Sequence, residues 1–159
     1  MNSMLIKSIF TTPWGNIEVG HDEHFLYSTS FTQKSATPAA NHLAQQIAVE
    51  LKSYFADPHH RFQLSLKPQG SAYQQKVWNA LLVIPVGRTL TYGELALKLQ
   101  SSPRAVGQAC KRNPITLFIP CHRVVGKSNL GGYMGNPSAI SYKEALLKHE
   151  DFVTAQESF

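Results

Sequence analysis

Residues 91–114 read TYGELALKLQSSPRAVGQACKRNP and contain the start and stop signals of two short helices. Thr91 followed three residues later by Glu94 is a capping box, and Ser102-Pro103 supplies a second helix start. Asn113-Pro114 marks the end of the second helix. Two short helices joined by a tight turn are typical of a helix-turn-helix DNA-binding element. Most short helix pairs in small proteins only pack a core, so this signal is weak by itself.

The positive charge of the chain is concentrated around these helices. The chain has 159 residues, and its 15 Lys and Arg against 10 Asp and Glu give a net charge of +5. Residues 1–70 hold five basic and five acidic side chains, so the whole excess lies in residues 71–159. Residues 95–141 contain six basic side chains and no acidic one. A stretch of one sign favours a polyanionic partner, with a solvated basic face as the alternative.

Composition argues against several classes of protein. Apolar residues make up 43% and charged residues 16%, which is typical neither of a disordered tail nor of a charge-stabilised coiled coil. The longest apolar run, residues 80–86, is far shorter than the roughly 18 residues of a membrane-spanning helix. Residues 1–7 lack the apolar region of a signal peptide, and Cys110 and Cys121 match no zinc spacing. We therefore expect a cytoplasmic protein with reduced thiols and no membrane attachment.

The residues before position 71 alternate in the manner of short strands around one helix. Residues 5–31 predict short strands with tight turns between them. Thr37-Pro38 predicts the N-cap and first turn of a helix that ends at Asp57-Pro58. Residues 61–66 predict one more strand, at the edge of the sheet.

The remaining residues predict further helices and one apolar strand. Ser71 with Gln74 forms a capping box that opens a helix, and Ser141 with Glu144 forms another near the end of the chain. Ile115 to Ile119 is a mainly apolar stretch, which predicts a buried strand. A glycine-rich loop follows it.

Residues 119–125 read IPCHRVV and place a thiol between a proline and two basic side chains. A cysteine becomes a nucleophile when a neighbouring base or cation stabilises its thiolate, although a lone cysteine is often just a small buried residue. On an extended strand Cys121 and His122 point to opposite faces, so their contact requires a turn of the backbone or a bridging water. Glu150, in the last helix, is the candidate to orient the imidazole.

Residues 120–124 resemble the active-site motif of the O6-alkylguanine-DNA alkyltransferases, the methylated-DNA–protein-cysteine methyltransferases. The likeness extends from Tyr73 to Glu150, and it includes further motifs in the same order: residues 92–96, 104–107, 113–114, 132–135 and 143–150. It implies an α+β fold in which residues 1–67 form a small ribonuclease-H-like α/β scaffold. Residues 68–159 would form a helical, winged-helix-like domain that holds the helix-turn-helix and the active site.

The resemblance implies a DNA repair protein that acts once. It would flip O6-alkylguanine (chiefly O6-methylguanine, with O4-methylthymine as a further candidate) out of double-stranded DNA and transfer the alkyl group irreversibly to Cys121. His122 would deprotonate the thiol through a water, and Glu150 would hold His122. Tyr92 would contact the flipped guanine and help to neutralise the leaving group. No cofactor and no obligate protein partner are implied, and we expect a monomer.

The same resemblance assigns residues that contact DNA. Arg104 matches an arginine finger that takes the place of the extruded nucleotide, with a phosphate contact as the alternative. Ala105 lies beside it, and Lys111 and Arg112 end the same helix. Asn113 matches a hinge asparagine that ties this helix to the active-site segment.

A guanine pocket is also implied, lined by Val124, Tyr133, Met134 and Gly135. Arg123 is expected to form ion pairs or hydrogen bonds rather than to react. Some relatives bind zinc through cysteines of the N-terminal domain. Because this chain has no cysteine before Cys110, we expect no metal.

Two other functions compete with this one. An alkyltransferase-like protein would bind lesions, or regulate genes, without transfer, but such relatives replace the cysteine that is present here as Cys121. A cysteine hydrolase could use Cys121, His122 and Glu150. Hydrolases usually draw the cysteine and histidine from distant segments, which argues against that assignment.

Overall fold

A computed structural model describes residues 5–129, 131 and 140–150. The chain divides into two units, Met1–Gln69 and Gly70–Phe159. The first combines a sheet with a helix and the second is mainly helical, so the expected α+β fold is correct.

In the first unit, β1 (Ile6–Thr12), β2 (Gly15–His21) and β3 (Leu26–Thr32) form an antiparallel sheet in that order. Helix α1 (His42–Ala56) contributes a buried apolar stripe. The alternation of apolar and polar residues predicted the strands correctly. The core of this unit includes the fully buried side chains of Ile17, Val19, Leu26, Ala44 and Ile47.

The predicted start of α1 at Thr37-Pro38 is wrong. The helix begins at His42, and the Asn41 side chain caps it by accepting a hydrogen bond from the Ala44 amide at 2.8 Å. Thr37 is instead bound to the edge of β1. Its amide donates to the Ile9 carbonyl at 3.0 Å, and its hydroxyl accepts from the Ile9 amide at 2.9 Å. A contact with the sheet therefore overrides a local capping signal.

The edge strand predicted at residues 61–66 is reduced to one parallel bridge between Leu26 and Leu66. The preceding residues are held by α1 instead. The Gln63 amide donates to the Glu50 carboxylate at 2.7 Å, and the Phe62 ring lies 5.1 Å from the Tyr54 ring.

The second unit begins with α2 (Ala72–Leu82) and continues through β4 (Leu90–Thr91), α3 (Tyr92–Leu99) and α4 (Pro103–Lys111). The capping boxes predicted at Ser71 and at Thr91 form as expected. The Ser102 hydroxyl caps α4 by accepting from the Ala105 amide at 3.1 Å. The predicted pair of short helices is therefore confirmed.

The apolar run Ile115–Ile119 does not form a strand. It is a buried turn in which the Ile119 amide donates to the Ile115 carbonyl at 2.9 Å and Leu117 has a φ of +78°. All five side chains are buried, so no face is left to water. The run leads into a turn of 3₁₀ helix at Cys121–Arg123, followed by β5 (Val124–Val125).

The last described element is α5 (Ile140–His149), which begins before the predicted Ser141 cap. Strand β5 pairs in parallel with β4, so that Leu90 lies opposite Val124. This short ladder brings the start of α3 next to the turn that carries Cys121.

Across the described residues, no helix is both long and apolar enough to cross a membrane. Within the same ranges, no group of three or more His, Cys, Asp or Glu side chains is arranged to hold a metal ion.

Candidate active site

Cys121 is the first residue of the 3₁₀ turn and is buried, with 4% of its surface exposed. Its amide donates to the Ile119 carbonyl at 2.8 Å. The strand expected here would have separated Cys121 from His122, but the backbone turns instead. The two side chains therefore belong to one tight turn rather than to opposite faces of a strand.

Asn113 connects the end of α4 to this turn. Its side-chain amide donates to the Ile119 carbonyl at 2.9 Å, and its carbonyl oxygen accepts from the Ile115 amide at 3.0 Å. It also hydrogen-bonds with the Cys121 thiol, which favours the thiolate. The predicted hinge residue thus occupies a bridging position, with contacts to both sides of the buried turn.

His122 and Glu150 form a buried pair. The distance from Nε2 of His122 to Oε2 of Glu150 is 2.9 Å, and the two side chains are 0% and 1% exposed. Because a carboxylate only accepts hydrogen bonds, Nε2 carries the proton and Nδ1 holds a lone pair. Nδ1 is buried and has no hydrogen-bond partner among the described residues. Burial lowers the pKa of His122, against the opposing effect of Glu150, and so favours the neutral ring.

Arg123 binds the other side of the same carboxylate. Its Nε lies 2.8 Å from Oε1 of Glu150 and its Nη2 lies 3.0 Å from Oε2, while Nη1 donates to the Ile84 carbonyl at 2.7 Å. Burial alone would raise the pKa of Glu150, but the hydrogen bonds and charges of His122 and Arg123 hold it well below its usual range. Glu150 is therefore ionised, and the expected ion-pair role of Arg123 agrees with these contacts.

Burial raises the pKa of the Cys121 thiol to about 11, against the opposing effects of Asn113 and Lys143. Cys110, on the buried face of α4, has its pKa raised to about 12 by burial and by the neighbouring Cys121. Both thiols are neutral in this state at ordinary pH. A reaction at Cys121 thus requires a group that accepts its proton.

Tyr92 is the first residue of α3, directly after β4. Gly131, with a φ of +75°, packs against its hydroxyl, and a Cβ at Gly131 would lie 2.6 Å from that oxygen. The ammonium of Lys143 lies 5.8 Å from the centre of the Tyr92 ring. A glycine is therefore needed at position 131 for both steric and conformational reasons.

Lys143 is a site residue that the sequence analysis missed. It is fully buried, its ammonium donates to the Val124 carbonyl, 2.6 Å away, and burial lowers its pKa to about 8. One signal could have found it. Lys143, Leu146, Leu147 and Glu150 are spaced by three, one and three residues, which places them on one face of a helix, and all four are buried.

Of the residues predicted to contact DNA, Arg104 and Lys111 lie on the outer face of α4 and Arg112 is its C-cap. Arg104, Lys111 and Arg112 are exposed and Ala105 is half-buried. The opposite face of α4, with Val106 and Ala109, is buried.

The indole of Trp78 donates to the Ala109 carbonyl at 2.9 Å and so anchors the end of this helix. Of the predicted pocket residues, Val124 is fully buried in β5. Tyr133, Met134 and Gly135 lie outside the described residues.

Comparisons with known proteins agree with this geometry. Residues 72–152 match a family model described as the DNA-binding domain of 6-O-methylguanine DNA methyltransferase. A methylated-DNA–protein-cysteine methyltransferase of Methanosarcina acetivorans is 38% identical over 152 residues, which cover 90% of this chain and 96% of that protein.

Two solved structures from Mycobacterium tuberculosis are also similar. That of O6-methylguanine methyltransferase superimposes with a TM-score of 0.80 at 32% identity, covering 93% of each chain. That of OGT in complex with DNA gives a TM-score of 0.77 at 32% identity and covers 91% of this chain and 92% of that one.

Proposed function

Because the chain belongs to the methylated-DNA–protein-cysteine methyltransferase family, we propose that it removes an alkyl group from O6 of guanine in duplex DNA by transferring it to Sγ of Cys121. The chain is a DNA-binding repair methyltransferase. The lesion, the acceptor atom and a single turnover per molecule are the parts that we propose.

The chemistry is one displacement at carbon. Sγ of Cys121 attacks the methyl carbon of O6-methylguanine, the carbon–O6 bond breaks, and a thioether forms. The guanine leaves as an anion and takes up one proton, while the thiol loses one, so the overall reaction balances. An alkyl thioether is stable to hydrolysis under ordinary conditions, so the methyl group would stay on Cys121. The protein would therefore be consumed by the reaction.

The buried pair of His122 and Glu150, with His122 next to Cys121 in the 3₁₀ turn, is the observation that carries this proposal. Nδ1 of His122 is buried and holds a lone pair that no described residue uses. A water between Nδ1 and Sγ would let His122 take the thiol proton, as a general base does. Glu150 holds the opposite nitrogen and stabilises the imidazolium that results.

The leaving group needs a hydrogen-bond donor, because a guanine anion is a poor leaving group. The Tyr92 hydroxyl is such a donor, and the ladder of β4 and β5 places Tyr92 near the reactive turn. Lys143 adds a positive charge beside the Tyr92 ring and near both thiols when it is protonated. We propose that Val124 and residues 133–135 line the space for the base.

DNA is proposed to bind along the outer face of α4. A methylated base inside a duplex is out of reach of a buried thiol, so it has to be rotated out of the stack. Arg104, exposed at the start of α4, would fill the gap, with Ala105 beside it. Lys111 and Arg112 would contact phosphates, which position the protein without reading sequence.

Mass spectrometry of the intact protein tests the proposal. After incubation with duplex DNA that contains one O6-methylguanine, the protein should gain the mass of one CH₂ group, on Cys121, once per molecule. Cys121→Ser should bind the same DNA without gaining mass. Cys110→Ser, which changes the neighbouring buried thiol, should still accept the methyl group.

Three results would contradict the proposal. They are many turnovers per molecule, a methyl group on a residue other than Cys121, and tight binding of the lesion with no change in mass. The last would favour a protein that only recognises lesions.

A further inference from the structure

We propose that Arg123 is a positioning residue that keeps Nδ1 of His122 free of a proton by holding the negative charge of Glu150. The consequence for methyl transfer rests on the function proposed above. The protonation of His122 itself does not, and it can be measured without DNA.

The contacts of Arg123 are those of a clamp. Its guanidinium meets both oxygens of Glu150, at 2.8 and 3.0 Å, in the planar two-point arrangement that suits a carboxylate. The third donor reaches the Ile84 carbonyl, which follows the end of α2, at 2.7 Å. The Arg123 side chain is 14% exposed and that of Glu150 1% exposed. The clamp is therefore shielded from water.

The balance of charge explains why this clamp matters for His122. With Arg123 in place, the guanidinium and the carboxylate cancel, and a neutral His122 leaves the cluster without net charge. Without Arg123, a neutral His122 would face a buried carboxylate that has lost its counter-charge, which is costly in a poorly solvated site. The cluster would then take up a proton.

Other groups near His122 do not replace this effect. Lys143 of α5 also disfavours the protonated ring, but burial lowers its own pKa to about 8, so it is itself close to losing its charge. The two thiols, Cys121 in the same turn and Cys110 on α4, are neutral at ordinary pH. A guanidinium keeps its charge in proteins, and that of Arg123 touches the carboxylate directly.

The extra proton would disable the proposed base. An imidazolium carries an N–H on both nitrogens, so Nδ1 would lose the lone pair that accepts the thiol proton. A glutamate that keeps its charge and a histidine that stays neutral are both needed for the relay. Arg123 favours both the ionised Glu150 and the neutral His122, although it touches neither the thiol nor the alkyl group.

The first test is an NMR titration of His122 in the native protein with ¹⁵N-labelled histidine, assigned with His122→Gln. The ¹⁵N chemical shift of Nδ1 distinguishes an unprotonated ring nitrogen from a protonated one. We expect Nδ1 to stay unprotonated at and below pH 6.5, which is about the usual histidine pKa. A His122 that is protonated at Nδ1 at that pH would overturn the proposal.

The second test compares Arg123→Met with Arg123→Lys. In Arg123→Met the protonation midpoint of His122 should rise by about one pH unit or more, and the rate of methyl transfer below that midpoint should fall about tenfold, with recovery at higher pH. Arg123→Lys keeps the positive charge but loses the two-point contact of the guanidinium. Because the charge remains, the protonation midpoint of His122 should stay near that of the native protein. Arg88→Met, at an exposed arginine of the same unit, is the matched control and should change neither quantity.

The outcomes separate the two proposals. An unchanged His122 midpoint in Arg123→Met, or an equal loss of rate in both variants at every pH, would mean that Arg123 only supports the fold. Should Arg123→Met fail to fold, the native and Arg123→Lys titrations decide. If the titrations behave as expected but no methyl group is transferred, the proposed function fails and the assignment of Arg123 stands.

Discussion

Replacing Asn113 by alanine should destabilise the second unit more than most single substitutions do. The side chain makes two buried hydrogen bonds with the backbone, to the Ile119 carbonyl at 2.9 Å and from the Ile115 amide at 3.0 Å. Each backbone group left without a partner costs about 1–3 kcal/mol, so the loss for the two groups should be roughly 2–6 kcal/mol. That is a large part of the ~5–15 kcal/mol that stabilises a typical domain.

Asn113→Asp should distinguish the contributions of these two backbone hydrogen bonds to stability. An aspartate still accepts from the Ile115 amide, but when ionised it places a negative oxygen against the Ile119 carbonyl. When protonated, it can donate to that carbonyl again. We therefore expect Asn113→Asp to be less stable at about pH 8 than at about pH 5, after subtraction of the pH dependence of the native protein.

Urea denaturation followed by tryptophan fluorescence measures these losses. The chain has two tryptophans, and a Trp14→Phe background leaves Trp78, which is buried in the second unit, as the reporter. Gln108→Ala, at an exposed position of the same helix, is the control and should stay within about 0.5 kcal/mol. A loss below about 0.5 kcal/mol in Asn113→Ala would refute the bridging role of this side chain.

Other substitutions test the remaining contacts. Gly131→Ala should slow methyl transfer and leave DNA affinity unchanged, because the new Cβ would lie 2.6 Å from the Tyr92 hydroxyl; equal rates in single-turnover assays would contradict this. Burial lowers the pKa of Lys143 from its ordinary value of 10.5 to about 8 in the folded protein. Between these values the unfolded chain binds more protons, so the native stability should rise relative to Lys143→Met by up to about 3 kcal/mol, as measured by denaturation at several pH values. DNA binding should weaken steeply with salt, and Arg112→Gln should reduce the slope of log K against log salt concentration by about 1 in fluorescence anisotropy, whatever the DNA sequence. An unchanged slope would remove Arg112 from the DNA surface.

The helix starts in the second unit could be predicted because their causes are local. The capping boxes at Ser71 and Thr91, and the Ser102 cap, use donors and acceptors within three residues of each other. The false start at Thr37 has the same local pattern. There, Thr37 is bound by Ile9 of β1, which is distant in sequence, and no local pattern predicts such a contact.

The turn that carries Cys121 could be predicted only in part. A short, mainly apolar stretch is equally compatible with a buried strand and with a buried turn, and Ile115–Ile119 forms a buried turn. Cys121, His122 and Glu150 were candidates from their residue types, and the family resemblance assigned their roles; their geometry could not be predicted. Lys143 was missed because a lysine is usually exposed, and only its spacing from Glu150 marks it as inward-facing.

The two-residue ladder of Leu90 with Val124 bears on how this protein could be re-engineered. The ladder joins the residues before α3 to Val124, just after the reactive turn. At the other end of the helix pair, Asn113 follows α4 and hydrogen-bonds to Ile119, just before Cys121. A helix pair transplanted from another DNA-binding protein would break both ties. Residues 90–125 therefore form the smallest cassette that can be exchanged without separating the part that meets DNA from the nucleophile.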